Sequence, residues 1–324
     1  MPKAMRITET GGPEVLRWQD IDVGEPGEGQ ARVRHTAVGV NFIDTYYRSG
    51  LYPIPLPSGL GSEAAGIVEA VGPGVTVIRP GDRVAYAGGP PGSYAEARVL
   101  PAAILVPIPD GVADQTAAAV MLKGMTAQYL IRRTCPVKAG ETVLFHAAAG
   151  GVGLIACQWL KALGATVIGT VGTEEKAAVA RSHGCEHVII STREDIAKRV
   201  REITGGAGVP VVYDSVGKDT FLSSLDCLRP LGLMVSYGNS SGKVTPFDIS
   251  ILSHKGSLYL TRPTLATYTA TRADLEATAR DVFDVIRQGK VTVEVRHTYP
   301  LVDAPQVHRD LEGRRTVGSI VMIP

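Results

Sequence analysis

The chain is poor in cysteine: Cys135, Cys157, Cys185 and Cys227 lie far apart, and none falls in a C-x-x-C or Cys/His spacing. That excludes a zinc finger and gives no sign of a disulfide framework. A surplus of one charge is missing too. With 33 Lys and Arg against 32 Asp and Glu, the net charge is +1, which leaves no electrostatic footprint for nucleic acid or a membrane surface. No apolar run approaches the roughly 18 residues of a membrane span. The N-terminal MPKAMRITETGG lacks the apolar core of a signal peptide. Internal repeats and low-complexity tracts are also absent. What remains is an ordinary apolar content of 44% in 324 residues, enough for two modest domains, with a reduced, cytoplasmic enzyme as the expectation.

Up to about residue 122 the chain is rich in Gly and Pro. Its short β-like runs, 30–37, 65–71 and 82–86, are separated by GGP at 11–13, GPG at 72–74 and PGD at 80–82. This pattern predicts a compact, largely β domain. An Ala- and Leu-rich segment, 113–133, then suits helices. From Glu141 the rhythm changes. Strand-like runs at 142–147, 165–170, 187–190, 210–213, 233–237 and 257–261 alternate with helical patterns at 154–163, 174–182, 194–203 and 220–228. Such alternation predicts an α/β fold with a doubly wound parallel sheet of Rossmann type. A helical segment at 272–287 and β-like runs at 291–296 and 319–323 are expected to return to the first domain and make it discontinuous. The expected boundaries are 1–122 with 264–324, and 123–263.

The stretch His146-Ala-Ala-Ala-Gly-Gly-Val-Gly153 is a G-x-G-x-x-G loop with Ala148 at the first glycine position and Gly150 and Gly153 at the others. It follows a strand and opens a helix, where free N–H groups and the helix dipole favour an anion. The second glycine admits the diphosphate, the third permits close helix–strand packing, and Ala148 is harmless if its φ is negative. About 20 residues on, an NAD-binding unit usually carries a carboxylate for the ribose 2′-OH. Here Thr166-Val-Ile-Gly-Thr-Val-Gly-Thr173 ends without one, and Lys176 follows, which favours NADPH. Glu174 and Glu175 oppose that reading unless they point outward. His146 and Cys157 read as core residues, and Lys123 taken alone reads as a solvated helix charge.

The layout resembles the medium-chain dehydrogenase/reductase superfamily. Where its zinc enzymes carry a cysteine and a Gly-His-Glu segment, this chain has Val38-Gly-Val-Asn-Phe-Ile-Asp-Thr-Tyr46 and Gly59-Leu-Gly-Ser-Glu63. Neither contains a soft ligand for tetrahedral zinc. Asn41-Phe-Ile-Asp-Thr-Tyr46, Arg48-Ser-Gly-Leu-Tyr52, Gly61-Ser-Glu-Ala-Ala-Gly66, Phe145–Gly153, Tyr213-Asp-Ser-Val-Gly217 and Gly238-Asn-Ser-Ser-Gly242 resemble the bacterial NADPH:quinone oxidoreductases, relatives of the lens zeta-crystallins. The likeness runs the whole length, through Thr261-Arg-Pro263 to Pro324.

The resemblance implies a GroES-like domain beside the Rossmann domain, NADPH as cofactor, a quinone as substrate, no metal or flavin, and a homodimer. Asn41, Tyr46 and Tyr52 match residues on the nicotinamide and quinone side, and Lys123 and Thr126 match cofactor contacts. Gly150, Gly151 and Val152 match the diphosphate loop, and Gly172 and Lys176 the 2′-phosphate pocket. Tyr237, Gly238 and Asn239 match a strand end over the cofactor, and Arg314 a C-terminal contact. One departure is Ile190-Ser-Thr192, where close relatives carry a tyrosine; Ser191 is left to donate one hydrogen bond. Asn41 read without the family could instead sit in a left-handed turn. Reduction of a 2-enone is the alternative activity, and a crystallin-like binding protein the alternative class.

Overall fold

The computed structural model describes all 324 residues, and the chain divides into two compact units. The first comprises Met1–Met125, Thr269–Arg287 and Val293–Pro324; the second comprises Thr126–Tyr268 and Gln288–Thr292.

The first unit is built on a mainly antiparallel seven-stranded sheet. Its order is Val295–Pro300, Ser319–Ile323, Gln30–Gly39, Glu63–Val71, Arg83–Ala87 and Val106–Pro107, and Ala97–Pro101 also pairs with Gln30–Gly39. Val33, Val38, Val68, Val84 and Met322 are wholly or almost wholly buried in a core shared with Met5 and Ile7 from a three-stranded sheet, with Leu60 just beyond that sheet's strand Ser58–Gly59, and with Val307 from the helix Ala304–Glu312. The C-terminal strand Ser319–Ile323 pairs Val321 with Gly39 and Met322 with Val38, so the last residues complete the sheet begun by the first. The expected β-run at 291–296 lies further on, at Val295–Pro300. Parallel pairing with Ser319–Ile323 sets its register, and local propensity does not.

The second unit carries six strands, all paired in parallel. Their order is His187–Ile190, Thr166–Val171, Thr142–Phe145, Val209–Asp214, Leu228–Ser236 and Tyr259–Thr261. Numbered from Thr142–Phe145, this is the 3-2-1-4-5-6 order of a dinucleotide-binding sheet. The central strands are near-continuous apolar runs (Val143-Leu-Phe145, Val167-Ile168, Val211-Val-Tyr213) buried on both faces. The order of strand addition reverses between Thr142–Phe145 and Val209–Asp214, and the carboxyl ends of these parallel strands are where such sheets bind ligands. Gly164 ends the helix Gly151–Ala162 in a left-handed conformation at φ +82°, as its C′ position predicts.

Candidate active site

In the first unit, the helix Phe42–Arg48 starts at Asn41 in an extended conformation, φ −137°, which removes the left-handed-turn reading. Asn41 and Asp44 form a reciprocal capping box: the Asn41 side chain accepts from the Asp44 N–H, and the Asn41 N–H donates to Asp44 Oδ2 at 2.9 Å. The Asn41 amide also donates to Glu63 Oε2 at 2.8 Å. The same carboxylate oxygen takes Lys123 Nζ at 3.0 Å, while the Leu122 N–H donates to Glu63 Oε1 at 2.7 Å. All three side chains are buried, with Glu63 0% exposed. Gly39 makes room for them, because a Cβ there would overlap the Glu63 carboxylate and the Ala118 carbonyl. Lys123 is therefore a desolvated member of an ion pair rather than a solvated charge.

The network continues from Asp44. Its carboxylate accepts from Ser62 Oγ at 2.7 Å and from the Tyr94 hydroxyl at 3.0 Å. Burial nevertheless pushes the Asp44 carboxyl up to about 6, against the opposing pull of Ser62, Asn41, Tyr94 and Lys123. Since the Tyr94 proton goes to Asp44, its oxygen accepts from His308 Nε2–H at 3.1 Å, and His308 Nδ1 accepts from Arg48 at 3.1 Å. Arg48 closes the chain on Glu312 with bonds of 3.0 and 2.7 Å. Tyr46 on the helix Phe42–Arg48 and Tyr52 in the bend beyond it are part-exposed, their rings edge-on at 5.2 Å, and the Tyr52 N–H donates to the Tyr46 carbonyl.

In the second unit the helix Gly151–Ala162 begins after Gly150 with no side-chain cap and no acid in its first turn. The N–H groups of Gly151, Val152 and Gly153 have no partner within the helix. Gly153 is obligatory: a Cβ would overlap the Ala147 carbonyl and stand 2.7 Å from the Ala148 carbonyl oxygen. Gly169 on the neighbouring strand lets the loop lie flat, because a Cβ there would meet the Ala148 methyl at 2.7 Å. Ala148 itself has no positive φ; the left-handed residue is Ala147, at φ +52°. An uncapped helix start, small residues and close packing fit a diphosphate.

The next strand ends at Val171, and a Cβ on Gly172 would meet nothing within 4 Å. Thr173 caps the following helix by accepting from the Lys176 N–H. Lys176 is half-buried, whereas Glu174 and Glu175 are exposed and Glu174 pairs with Arg181. Glu175 is held below the usual carboxylate range, chiefly by its own backbone N–H and then by Thr173, with Arg193 adding a charge. Ser191 donates its hydroxyl proton to the Val171 carbonyl at 3.1 Å, so in this arrangement it does not offer the donor expected of it. The open space at Gly172, flanked by Lys176, suits a 2′-phosphate. On the other side of the sheet's midline, the Tyr237 N–H donates to the Asp214 carbonyl at 2.8 Å. A Cβ at Gly238 would meet the Ser215 carbonyl at 2.5 Å, and Asn239 is buried. Arg262 donates to Ser236 Oγ and the Gly238 carbonyl, which fastens this strand end.

Residues 27–110 match the family model for the alcohol dehydrogenase GroES-like domain, and residues 151–280 match that for zinc-binding dehydrogenases. The chain is 56% identical to a quinone oxidoreductase of Pseudomonas aeruginosa, with 100% of both chains covered. The chain belongs to the quinone oxidoreductase family. It is an oxidoreductase of the medium-chain dehydrogenase/reductase superfamily. Another relative, a 2-haloacrylate reductase of Burkholderia, is 48% identical over 100% of this chain and 99% of its own. The solved structure of Escherichia coli quinone oxidoreductase complexed with NADPH superposes with a TM-score of 0.98 at 51% identity, covering 99% of this chain and 100% of that one.

Within this quinone oxidoreductase framework the candidate residues fall into two groups. Asn41, Tyr46, Tyr52, Lys123 and Arg314 belong to the first unit; Thr126, Gly150, Gly151, Val152, Gly172, Lys176, Ser191, Tyr237, Gly238 and Asn239 belong to the second. Asn41 and Lys123 meet on Glu63, whereas Arg314 is exposed, at φ +58° just beyond the helix Ala304–Glu312. Thr126 is buried and hydrogen-bonded with Tyr129, whose ring stacks on Tyr268 at 4.6 Å. Sequence reasoning missed Asp44, Glu63 and Arg193. The capping spacing Asn41-x-x-Asp44 was a usable signal for the first of these; nothing local marks the other two. His146 and Cys157 are fully buried, as core residues should be. No three His, Cys, Asp or Glu side chains are grouped so as to hold a metal ion, and no helix is long and apolar enough to cross a membrane.

Proposed function

We propose that the protein is an NADPH-dependent quinone reductase that works without a metal. The single observation that carries this reading is identity of 56% over every residue to a quinone oxidoreductase. The carboxylate-free strand end at Gly172, with Lys176 beside it, supports NADPH over NADH. Gly150, Gly151 and Val152 would hold the diphosphate, Gly172 and Lys176 the 2′-phosphate, and Thr126, Tyr237, Gly238 and Asn239 the nicotinamide half. Arg193, exposed on the turn after His187–Ile190, adds a second cation for the phosphate. Bound there, the reduced nicotinamide supplies hydride to a flat acceptor.

The protein's own part is to orient that acceptor and to stabilise charge on its oxygen. Asn41, Tyr46 and Tyr52 are the donors assigned to this task. After its bond to Glu63, the Asn41 amide retains one N–H. The Asn41–Glu63–Lys123 cluster fixes the amide plane, and breaking a buried pair of this kind costs about 3–5 kcal/mol. Arg314 is assigned a contact from the C-terminal segment. A domain division at 122/123 and 263/264 accompanies this reading.

Reduction of an activated carbon–carbon double bond is the second reading, favoured by the 2-haloacrylate reductase at 48% identity. Steady-state kinetics on matched quinones and 2-enones, each with NADPH and with NADH, test both. Turnover confined to quinones with NADPH supports the first reading, turnover confined to enones the second, and faster turnover with NADH removes the assignment at Gly172 and Lys176.

We also infer a homodimer. Tyr259–Thr261 is the outer strand of its sheet, with Tyr259 60% and Leu260 36% exposed. A second copy would cover these apolar side chains and the unpaired strand edge. Light scattering should give twice the 34.2 kDa chain mass; a single-chain mass refutes the dimer.

A further inference from the structure

The glycine loop contains a strained residue that is not a glycine. Ala147 stands at φ +52°, a conformation whose contact between Cβ and the following carbonyl disfavours any L-residue with a side chain. Such strain persists where the surroundings over-determine it. Here the surroundings are unusually explicit. The His146 N–H donates to the Tyr213 carbonyl at 3.0 Å, and the Ala148 N–H donates to the Thr170 carbonyl at 3.0 Å, so both neighbours of Ala147 are tied to adjacent strands.

The His146 side chain is held at both ends, and its polarity follows from the far end. Asp214 accepts from the N–H groups of Val216 and Gly217 and from the hydroxyls of Thr220 and Ser224, the last at 2.8 Å. With its proton on Asp214, the Ser224 oxygen must accept from His146 Nε2–H at 2.9 Å. His146 Nδ1 is then bare and accepts from Thr170 Oγ1–H at 2.9 Å. Burial lowers the affinity of this ring for a second proton, which agrees with the neutral tautomer the hydrogen bonds require. The ring spans Thr170 on one strand and Ser224 on the helix Phe221–Cys227, and it leaves no atom for acid–base work.

What the strain achieves lies three to six residues on. The Ala147 carbonyl accepts from the Gly150 N–H at 2.8 Å and packs so tightly on Gly153 that no Cβ fits. A different φ at Ala147 would swing that carbonyl away and release the turn that delivers Gly151 and Val152 to the helix start. We propose that His146 is a positioning residue for cofactor binding: hydrogen-bonded at both ring nitrogens, it holds Ala147 left-handed and so keeps the diphosphate loop in its binding shape. This rests on the reading of the loop as the NADPH site and assigns a role to a residue outside it.

The experiment is calorimetric titration of NADPH into the wild type, Thr170→Val and Ser224→Ala, which remove the partner of Nδ1 and of Nε2 separately, and into each variant combined with Ala147→Gly. Glycine adopts positive φ freely, so it should relieve the loop of its dependence on the histidine. Thr170→Val and Ser224→Ala should each raise the NADPH Kd about tenfold. The turnover number at saturating NADPH should stay within about twofold, because only a shape needed for binding is disturbed. Adding Ala147→Gly should return Kd to within about threefold of the wild type. A purely structural role for His146 predicts no such selective rescue. Unchanged Kd in either folded variant, or a raised Kd that Ala147→Gly leaves in place, overturns the inference. If the wild type itself takes up no NADPH, the cofactor reading fails first and this inference falls with it.

Discussion

Asn41 performs two tasks with one short side chain: its amide N–H donates to Glu63, and its side chain accepts from the Asp44 N–H. Asn41→Ala should therefore show a split effect. Loss of the cap should lower stability by about 1 kcal/mol. Loss of the aligned donor should lower quinone turnover about a hundredfold, the scale of an oxyanion donor, with NADPH affinity within about threefold. Equal losses in turnover and NADPH binding would remove Asn41 from the acceptor side. Asn41 was visible from its motif, but its partners were not. The bond from Lys123 spans 60 positions, and Glu63 in Gly-Ser-Glu looks like a solvated carboxylate until a fold removes the water around it. Burial is set by tertiary packing, and single-residue reasoning defaults to the solvated reading for any lone charge.

On the scale of one element, the proposed preference for NADPH rests on the strand Thr166–Val171 and the helix Glu174–Ser182. Lys176→Ala should weaken NADPH binding about tenfold and leave NADH within about twofold, as loss of one charge-assisted bond to a phosphate implies. Parallel titrations with the two coenzymes check it, and equal weakening of both would show that the lysine supports the helix rather than the phosphate. This helix was legible to the residue because Thr173 caps it and Gly184 follows it with a positive φ of +105°. The strand 291–296 was misplaced because its register depends on Ser319–Ile323; Ala148 has no positive φ, as its place in the loop required, but nothing in the sequence marked Ala147 as the left-handed residue. Caps leave marks in nearby sequence; pairing partners and φ angles inside a loop leave few.

For the molecule as a whole, two buried histidines make stability depend on pH. Burial lowers His35 to about 4, and burial together with Arg48 lowers His308 to about 3, from an ordinary value of 6.5. A depressed folded value means the unfolded chain binds the proton first. Their contribution is complete above pH 6.5 and is lost as pH falls through those values, about 3 kcal/mol for His35 alone. Asp44, raised to about 6, works the other way: its contribution is complete below about pH 4 and fades as pH rises through 6. The histidines move further, so the urea midpoint should fall between pH 6.5 and 4. His308→Gln should flatten that fall, and an unchanged slope would contradict the burial argument.

The sheet of the first unit closes only when Ser319–Ile323 reaches Gln30–Gly39. Apart from Gln288–Thr292, the second unit is one uninterrupted stretch. During synthesis from the N-terminus, the middle of the protein therefore has nearly all its own partners while the beginning still awaits the end. Ribosome-stalled chains ending near residue 300 should resist protease across 126–268 while 1–125 is cut, and equal protection of both would contradict it. A ribosome carrying this message holds a near-finished parallel-sheet body while the residues translated before it still lack their last strand, and the last few codons decide whether the first hundred translated residues acquire a lasting shape.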